Sequence, residues 1–183
     1  MSAAGRDGLP SWFLKIAAPG LALFVSHLFN LSIMQSHVPS HWKCANITPI
    51  PKVSLPKSCS DYRPISLTPI LYRVMKKLIV KSFIYPSISI PNSTIADSLA
   101  DQFAFRLTGS TSAALIYLLH TVSDLLEVHP YVHVISCDFS KAFDSVQHST
   151  LMSKIAELSI PDSVYNWIVD FLGPRSLLYK IWV

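Results

Sequence analysis

The chain has 183 residues, half of them hydrophobic, which is enough for one folded domain with a core and argues against wholesale disorder. Lysine and arginine outnumber aspartate and glutamate by 15 to 11, so the charge permits contact with nucleic acid or an anionic surface without requiring it. Three widely spaced cysteines, and no basic segment followed by an apolar core and a cleavage site, predict a reduced, intracellular protein without a disulfide partner.

The N-terminal part of the chain predicts two helices. A turn at residues 5–10 precedes a short helix at 11–16, and Pro19 suits the first position of a helix that runs to about Ser36. The segment 16–34 is apolar enough to raise a membrane-spanning alternative. Its polar residues, and large apolar residues at the three- and four-residue spacing of an amphipathic helix, favour a buried helix and no membrane contact.

A proline-containing hairpin and a helix with a basic side are predicted next. Residues 44–50 and 62–67 have the pattern of two strands around a polar loop, and the prolines favour a hairpin or flap over a central sheet strand. Residues 70–83 have helical periodicity, with an apolar side formed by Leu71, Val74, Met75, Leu78 and Ile79. The positive charges lie elsewhere on this helix, at Arg73, Lys76, Lys77 and Lys81.

The second half of the chain predicts alternating helices and strands. After Gly109, Ser110 or Thr111 caps a long helix, whose apolar stripe consists of Leu115, Leu118, Leu119, Val122, Leu125 and Leu126. Residues 131–137 predict a buried strand that ends at Asp138. Helices at about 148–158 and 161–172 complete an α/β order, and residues 173–183 have no assignment.

Asp138 is the residue with the clearest chemical potential. A carboxylate at the end of a buried strand can bind Mg²⁺ through oxygen and fix it against a phosphate substrate. From chemistry alone, an aspartate that caps a turn is the more common case, and this alternative stays open. A zinc site at His37, His41 and Cys44 lacks a fourth ligand, and no Ser-His-Asp order, glycine-rich phosphate loop or Cys-x-x-Cys pair competes.

Several short segments follow one another in a specific order. They are Ile47-Thr48-Pro49-Ile50-Pro51-Lys52, Asp61-Tyr62-Arg63-Pro64-Ile65-Ser66-Leu67, Asp101-Gln102-Phe103-Ala104-Phe105-Arg106 with Gly109-Ser110-Thr111, Cys137-Asp138-Phe139-Ser140-Lys141-Ala142-Phe143-Asp144-Ser145-Val146, and downstream His148, Leu151 and Asn166-Trp167 to Phe171-Leu172. The ordered set covers nearly the whole chain and resembles the reverse transcriptase domain of non-LTR (LINE-type, Jockey/CR1-like) retrotransposons. One departure is Leu107, where that family usually has proline.

The resemblance implies an α+β fold of the right-hand polymerase type, with fingers and the first part of the palm, and incomplete. It divides the chain into residues 1–44, an N-terminal helical part of the fingers, and residues 45–183, a partial reverse transcriptase domain whose fingers extend to about residue 111. The implied activity is RNA-directed DNA synthesis, with an RNA template, a DNA primer, dNTPs and Mg²⁺.

The resemblance also implies roles for single residues. Asp138 matches the first catalytic carboxylate, which holds both Mg²⁺ ions. Lys52 and Arg63 match cations of the fingers that close on the triphosphate, although solvated surface charge is the alternative reading of each. Phe139 would lie along the incoming nucleotide, and Phe143 matches the bulky residue that excludes a ribose 2′-hydroxyl.

Contacts with the template are implied for a second group of residues. Gln102, Phe105 and Arg106 match a motif close to the template strand and the nascent base pair. The basic helix side of Arg73, Lys76 and Lys77 could contact template phosphates, and a solvated helix face is an equally good reading.

The family's second catalytic motif, an aromatic residue, a variable residue and two adjacent aspartates, has no match. The chain contains no pair of adjacent aspartates, and the resemblance is expected to stop around Arg175. Asp144 lies beyond the turn after Asp138 and has the features of a local turn residue rather than a substitute ligand. The chain by itself is therefore predicted to be inactive, and the alternative is a non-catalytic, nucleic-acid-binding relic of a retroelement.

Overall fold

The computed structural model describes Gly5, residues 7–89, Leu99, residues 101–106, residues 109–139, Ala142, residues 145–173 and the backbone of residues 176–179. The chain forms two compact units. The first comprises Met1–Ser87 and His148–Val183, and the second comprises Ile88–Gln147. The first unit contains a sheet and a hydrophobic core, and the second contains a long helix and the segment that includes Asp138.

Helices and strands are both present, as the predicted mixed fold class requires. In chain order they are α1 (Ser11–Met34), β1 (Cys44–Pro51), β2 (Tyr62–Leu67), α2 (Ile70–Ile79), α3 (Tyr85–Ile88), α4 (Thr111–Val128), α5 (His148–Ala156), α6 (Asp162–Leu172) and β3 (Ser176–Tyr179). Short 3-10 turns precede the first two strands, at Ser40–Lys43 and Cys59–Asp61, and a π-helical segment, Val80–Ile84, joins α2 to α3.

Helix α1 is one continuous helix where two were predicted. Pro19 lies in its interior instead of at the start of a second helix. An interior proline removes one backbone hydrogen bond, and it often bends a helix without ending it when the residues on both sides keep helical conformation.

Burial of α1 is restricted to its C-terminal end. Phe29 and Ser32 are buried, whereas Ile16, Leu23 and Phe24 are each more than 70% exposed, so the prediction of a buried helix is wrong for most of its length. The reason is that the helix packs against α6 only through its last turns. By length and composition α1 could span a bilayer, but core helices of soluble proteins and signal sequences have the same length and composition. The absence of membrane contact therefore stays a prediction.

The sheet has the strand order β2-β1-β3. Strands β1 and β2 form the predicted antiparallel hairpin, with Asn46 opposite Leu67 and Pro51 opposite Tyr62. The prediction that β1 is not a central strand is wrong, because β3 pairs with its first half, residues 44–47, in parallel. Pro49 lies beyond that half, where the described part of the chain pairs β1 with β2 alone, so its missing N–H does not interrupt the described three-stranded part.

The hydrophobic core of the first unit lies where the end of α1, helix α2 and helix α6 meet. It contains Phe29, Val38, Trp42, Tyr72, Met75, Ile79, Val164, Trp167 and Ile168. The Trp167 indole N–H donates to Ser32 Oγ at 2.9 Å, and the Ser32 hydroxyl donates to the His37 carbonyl at 2.5 Å. Both polar groups inside this apolar region are therefore satisfied, as buried polar groups must be.

The predicted apolar side of α2 is partly correct. Met75 and Ile79 are buried together with Tyr72, whereas Val74 and Leu78 are exposed. The helical conformation continues through the π segment into α3, where Pro86 is the second residue. Pro86 has no N–H to donate, and it follows directly on the π segment, where the helical hydrogen-bond pattern already changes.

Asp170 of α6 links this helix to the segment that follows α1. Its carboxylate accepts hydrogen bonds from Lys43 Nζ at 2.6 Å and from the Val38 backbone N–H at 2.7 Å, and His37 Nδ1 lies 3.4 Å away. Partial burial raises the pKa of Asp170, but the hydrogen bonds from Lys43 and Val38 outweigh it and leave the pKa below its ordinary value. Asp170 is therefore a charged anchor between distant parts of the first unit.

In the second unit the predicted start of the long helix is confirmed, whereas its predicted apolar stripe is not buried. Ser110 caps α4, because its hydroxyl oxygen accepts a hydrogen bond from the Ala113 N–H at 3.0 Å. The leucines of the predicted stripe are exposed, and Val122 is half-buried. The described residues of the second unit supply little apolar surface against this helix beyond Phe103, whose ring lies 5.4 Å from that of Tyr117.

The predicted buried strand before Asp138 is wrong. Residues 131–139 form neither helix nor strand, and all of them except Val132 are exposed. A strand is stable only when its N–H and C=O groups pair with a neighbouring backbone, and the described ranges provide no strand beside this segment. The two predicted helices that follow are confirmed as α5 and α6.

Candidate functional site

The β1–β2 hairpin brings Lys52 and Arg63 to the same end of the sheet. Ile50 is opposite Arg63 in the register, and the Lys52 backbone N–H donates to the Asp61 carbonyl at 2.7 Å, which extends the ladder beyond Pro51. Side chains two residues apart along a strand share a face. Lys52 and Arg63 are therefore diagonal neighbours on one face of the hairpin, and both are exposed.

Both cations are exposed and accessible to an anion. Lys52 Nζ donates to the Ser60 carbonyl at 2.7 Å, an uncharged acceptor. Within the described ranges, no carboxylate lies within 4.0 Å of the charged nitrogens of Lys52 or Arg63. An ammonium and a forked guanidinium side by side form a suitable arrangement for phosphate oxygens.

Asp61 holds the loop between the two strands, a role that its motif alone did not predict. Its Oδ2 accepts hydrogen bonds from the backbone N–H groups of Lys57 at 2.8 Å and Ser58 at 2.9 Å. These two bonds, Lys57 first, hold the pKa of Asp61 below its ordinary value. The Ser58-x-x-Asp61 spacing is that of a capping box, which was the available sequence signal.

The basic residues of α2 are all exposed. Arg73 and Lys77 are one helical turn apart, and Lys76 is three residues from Arg73. Lys76 Nζ also lies 6.0 Å from the centre of the Tyr72 ring, at the edge of cation–π range. Lys76 is therefore the member of this basic group that has an aromatic contact.

Gln102, Phe105 and Arg106 lie on a single loop of the second unit. Gln102 Nε2 donates to the Ala104 carbonyl at 3.0 Å, and Arg106 Nη1 donates to the Leu99 carbonyl at 2.6 Å. Phe105 is exposed and has a φ of 60°, in the left-handed region that bulky residues rarely adopt. Leu107, the departure from the family pattern, lies outside the described residues.

Gly109 closes this loop, and its lack of a side chain is required there. A Cβ atom at residue 109 would lie 1.9 Å from the Phe103 carbonyl oxygen. Any other residue would therefore push the loop away from the start of α4, which explains the glycine before the Ser110 cap.

Asp138 and Phe139 are exposed neighbours in the irregular segment, and Phe143 and Asp144 lie outside the described residues. No three His, Cys, Asp or Glu side chains in the described part of the chain are arranged to hold a metal ion. The residues described around Asp138 therefore do not by themselves fit a pair of Mg²⁺ ions, which needs several carboxylate oxygens. Cys44, Cys59 and Cys137 are free thiols.

Comparison with known proteins identifies relatives along nearly the whole chain. A retrovirus-related Pol polyprotein from the type-1 retrotransposable element R2 of Popillia japonica is 26% identical over 181 residues, which are 98% of this chain and 23% of that protein. The RNA-directed DNA polymerase from the mobile element jockey of Drosophila melanogaster is 28% identical over 178 residues, 95% of this chain and 18% of that protein. The chain thus spans about a fifth of the length of these relatives.

A family profile gives the same result over most of the sequence. The profile described as reverse transcriptase (RNA-dependent DNA polymerase) matches residues 50–181. The match continues past Arg175, so the expectation that the resemblance stops there is wrong. The chain belongs to the reverse transcriptase family, and its relatives are the reverse transcriptases of non-LTR retrotransposons.

Proposed function

We propose that the chain is part of an RNA-directed DNA polymerase that uses an RNA template, a DNA primer and dNTPs inside the cell. In this proposal residues 1–44 form an N-terminal helical part of the fingers, the fingers extend to about residue 111, and the palm begins after it. Family membership supports the proposal, as do relatives that are named RNA-directed DNA polymerases. The observation that carries it is the exposed cation pair of Lys52 and Arg63 on the β1–β2 hairpin.

Nucleotide binding is assigned to the hairpin and to the two phenylalanines after Asp138. Lys52 supplies a point charge and Arg63 a forked donor to the triphosphate. In this proposal Phe139 contacts the incoming nucleotide, and the role of Phe143 is to exclude a ribose 2′-hydroxyl by its bulk.

Asp138 is proposed to supply one carboxylate to Mg²⁺, an ion that prefers oxygen ligands. The family's two-metal chemistry needs further carboxylates that the described residues do not provide. Triphosphate binding by the hairpin is therefore the part of the function that this chain's own described side chains support most directly.

Removing either hairpin cation is expected to weaken dTTP binding about tenfold, because each supplies a charge-assisted hydrogen bond to phosphate. The measurement is isothermal titration calorimetry with dTTP on the Lys52→Ala and Arg63→Ala variants. Lys57→Ala is the matched control, because it removes an exposed lysine from the same loop and keeps the backbone N–H that Asp61 binds. Equal affinities for K52A and K57A would contradict the proposal.

Template contact is assigned to Gln102, Phe105 and Arg106 and to the basic residues of α2. Replacing both Arg73 and Lys77 with alanine is expected to lower the slope of log affinity against log salt by roughly 0.7–0.9 per lost phosphate contact. Fluorescence anisotropy of a labelled RNA–DNA hybrid at several KCl concentrations gives this slope. Lys76→Ala, at the Tyr72 ring, should change it less. An unchanged slope in the double variant would support a solvated helix face.

The second candidate is a non-catalytic, nucleic-acid-binding relic of a retroelement. The observation in its favour is that Asp138 is exposed and that no three His, Cys, Asp or Glu side chains in the described part of the chain are arranged to hold a metal ion. Both candidates predict nucleic-acid binding, and they differ in whether the chain still binds a deoxynucleoside triphosphate. Loss of dTTP binding with retained binding of the hybrid would favour the relic.

A further inference from the structure

The loop that joins β1 to β2, residues 52–61, is organised around one carboxylate. Asp61 Oδ2 accepts the Lys57 and Ser58 N–H groups, and the Asp61 carbonyl accepts the Lys52 N–H at 2.7 Å. The Asp61 side chain thereby binds residues 57 and 58 within the loop, and its backbone carbonyl binds Lys52 at the start of the loop. A second contact closes the same loop, because the hydroxyls of Ser58 and Ser60 lie 2.6 Å apart.

We propose that Asp61 is a positioning residue for triphosphate binding: it fixes the loop so that the Ser60 carbonyl and the end of the ladder hold Lys52 beside Arg63. This inference rests on the proposed function and deepens it, since it names a residue that acts on the nucleotide only through another. The contact that transmits the effect is the hydrogen bond from Lys52 Nζ to the Ser60 carbonyl at 2.7 Å, one residue before Asp61.

The hydrogen bonds of the loop explain how a negatively charged residue, Asp61, can support the binding of a negatively charged triphosphate. A carboxylate beside two cations would repel a triphosphate if it pointed outward, and it would neutralise Lys52 if the two formed an ion pair. In this structure Asp61 Oδ2 accepts from two backbone N–H groups of the turn and Lys52 Nζ donates to a carbonyl, so the two side chains form no ion pair, although the charge of Lys52 contributes to the lowered pKa of Asp61. The two N–H bonds favour the ionised carboxylate, and they lower the pKa of Asp61 for that reason.

The loop is also separate from the hydrophobic core, so its order can be altered without unfolding the first unit. Residues 57–60 are exposed, and Asp61 is half-buried. The core residues, among them Phe29, Met75 and Trp167, lie on other elements. A variant at Asp61 is therefore expected to change the loop and to leave the cooperative unfolding transition in place.

The test compares Asp61→Ala, which removes both acceptor oxygens, with Asp61→Asn, whose amide oxygen can accept the same two N–H groups. Amide hydrogen exchange is measured at Lys57 and Ser58, dTTP affinity by calorimetry and the thermal midpoint by circular dichroism. We expect D61A to lose protection at both amides and to bind dTTP about fivefold more weakly. D61N should keep most of the protection and the affinity, and both should keep the thermal midpoint of the unsubstituted chain.

Each other outcome contradicts a specific statement. Normal dTTP affinity in D61A despite lost protection overturns the positioning role. Weak binding in D61N with intact protection also overturns it, because the charge and not the loop geometry would then matter. A fall in affinity that follows a fall in the thermal midpoint overturns it in favour of a purely structural role. If the unsubstituted chain and K52A bind dTTP equally, the proposed function fails and this inference fails with it; a defect in K52A without one in D61A removes this inference alone.

Discussion

Replacing Trp167 with alanine is expected to lower the free energy of unfolding by about 3–5 kcal/mol, a large part of the roughly 5–15 kcal/mol that stabilises a typical domain. Trp167 is 1% exposed, and its ring stacks on that of Phe171 with the centroids 5.3 Å apart. The substitution would leave a cavity where α1, α2 and α6 meet, and it would remove the indole donor that binds Ser32 Oγ.

Two further variants make this prediction specific. Trp167→Phe keeps an aromatic ring and loses the hydrogen bond to Ser32, so its cost should be clearly smaller than that of W167A. Trp12→Ala removes a tryptophan that is 57% exposed near the start of α1 and should change stability by no more than about 0.5 kcal/mol. Urea denaturation followed by far-ultraviolet circular dichroism measures all three. Similar midpoints for W167A and W12A would show that this core does not stabilise the protein.

The helices were the part of the fold that local sequence could predict. The Ser110 cap of α4 is a side-chain-to-backbone contact over three residues, and the periodicity of α2 and α6 repeats within a few turns. Such signals are contained in short segments, so they do not depend on what packs against them. Pro19 shows the limit of a local signal, because one missing hydrogen bond was not enough to end a helix of 24 residues.

The sheet could not be predicted in the same way, because its pairings join distant parts of the chain. The parallel pairing of Cys44 with Ser176 depends on residues more than a hundred positions apart. The prolines of β1 therefore suggested a peripheral hairpin, although its first half, before Pro49, is free to take a second neighbour. Residues 131–137 were predicted as a strand from their apolar alternation but do not form one. Such a pattern forms a strand only where a partner strand is available.

The candidate site divides in a similar way. Lys52 and Arg63 were identified from their motifs, and the hairpin register explains why residues eleven positions apart lie together. Asp61 was part of the same motif, but its role depends on hydrogen bonds to Lys57 and Ser58 that only the loop conformation shows. The basic side of α2 stays a prediction, and the contact of Lys76 with the Tyr72 ring is a detail that periodicity alone could not show.

A polypeptide of these 183 residues is expected to incorporate no dTTP above background on a poly(rA)–oligo(dT) template in the presence of Mg²⁺. In-line phosphoryl transfer by two metal ions about 4 Å apart needs several carboxylate ligands, and Asp138 is the single aspartate assigned to this role. The sequence contains no adjacent aspartates that could supply the family's second motif. We therefore expect the chain to bind dTTP without incorporating it, so that triphosphate binding by the hairpin can be measured independently of catalysis at Asp138.

The matched control for the incorporation assay is Asp138→Asn, which should give the same background as the unsubstituted chain. Incorporation that D138N abolishes would contradict the prediction, because it would show that the chain assembles a working metal site around Asp138. Incorporation that D138N retains would point to a contaminating polymerase, and a second purification would then have to remove it.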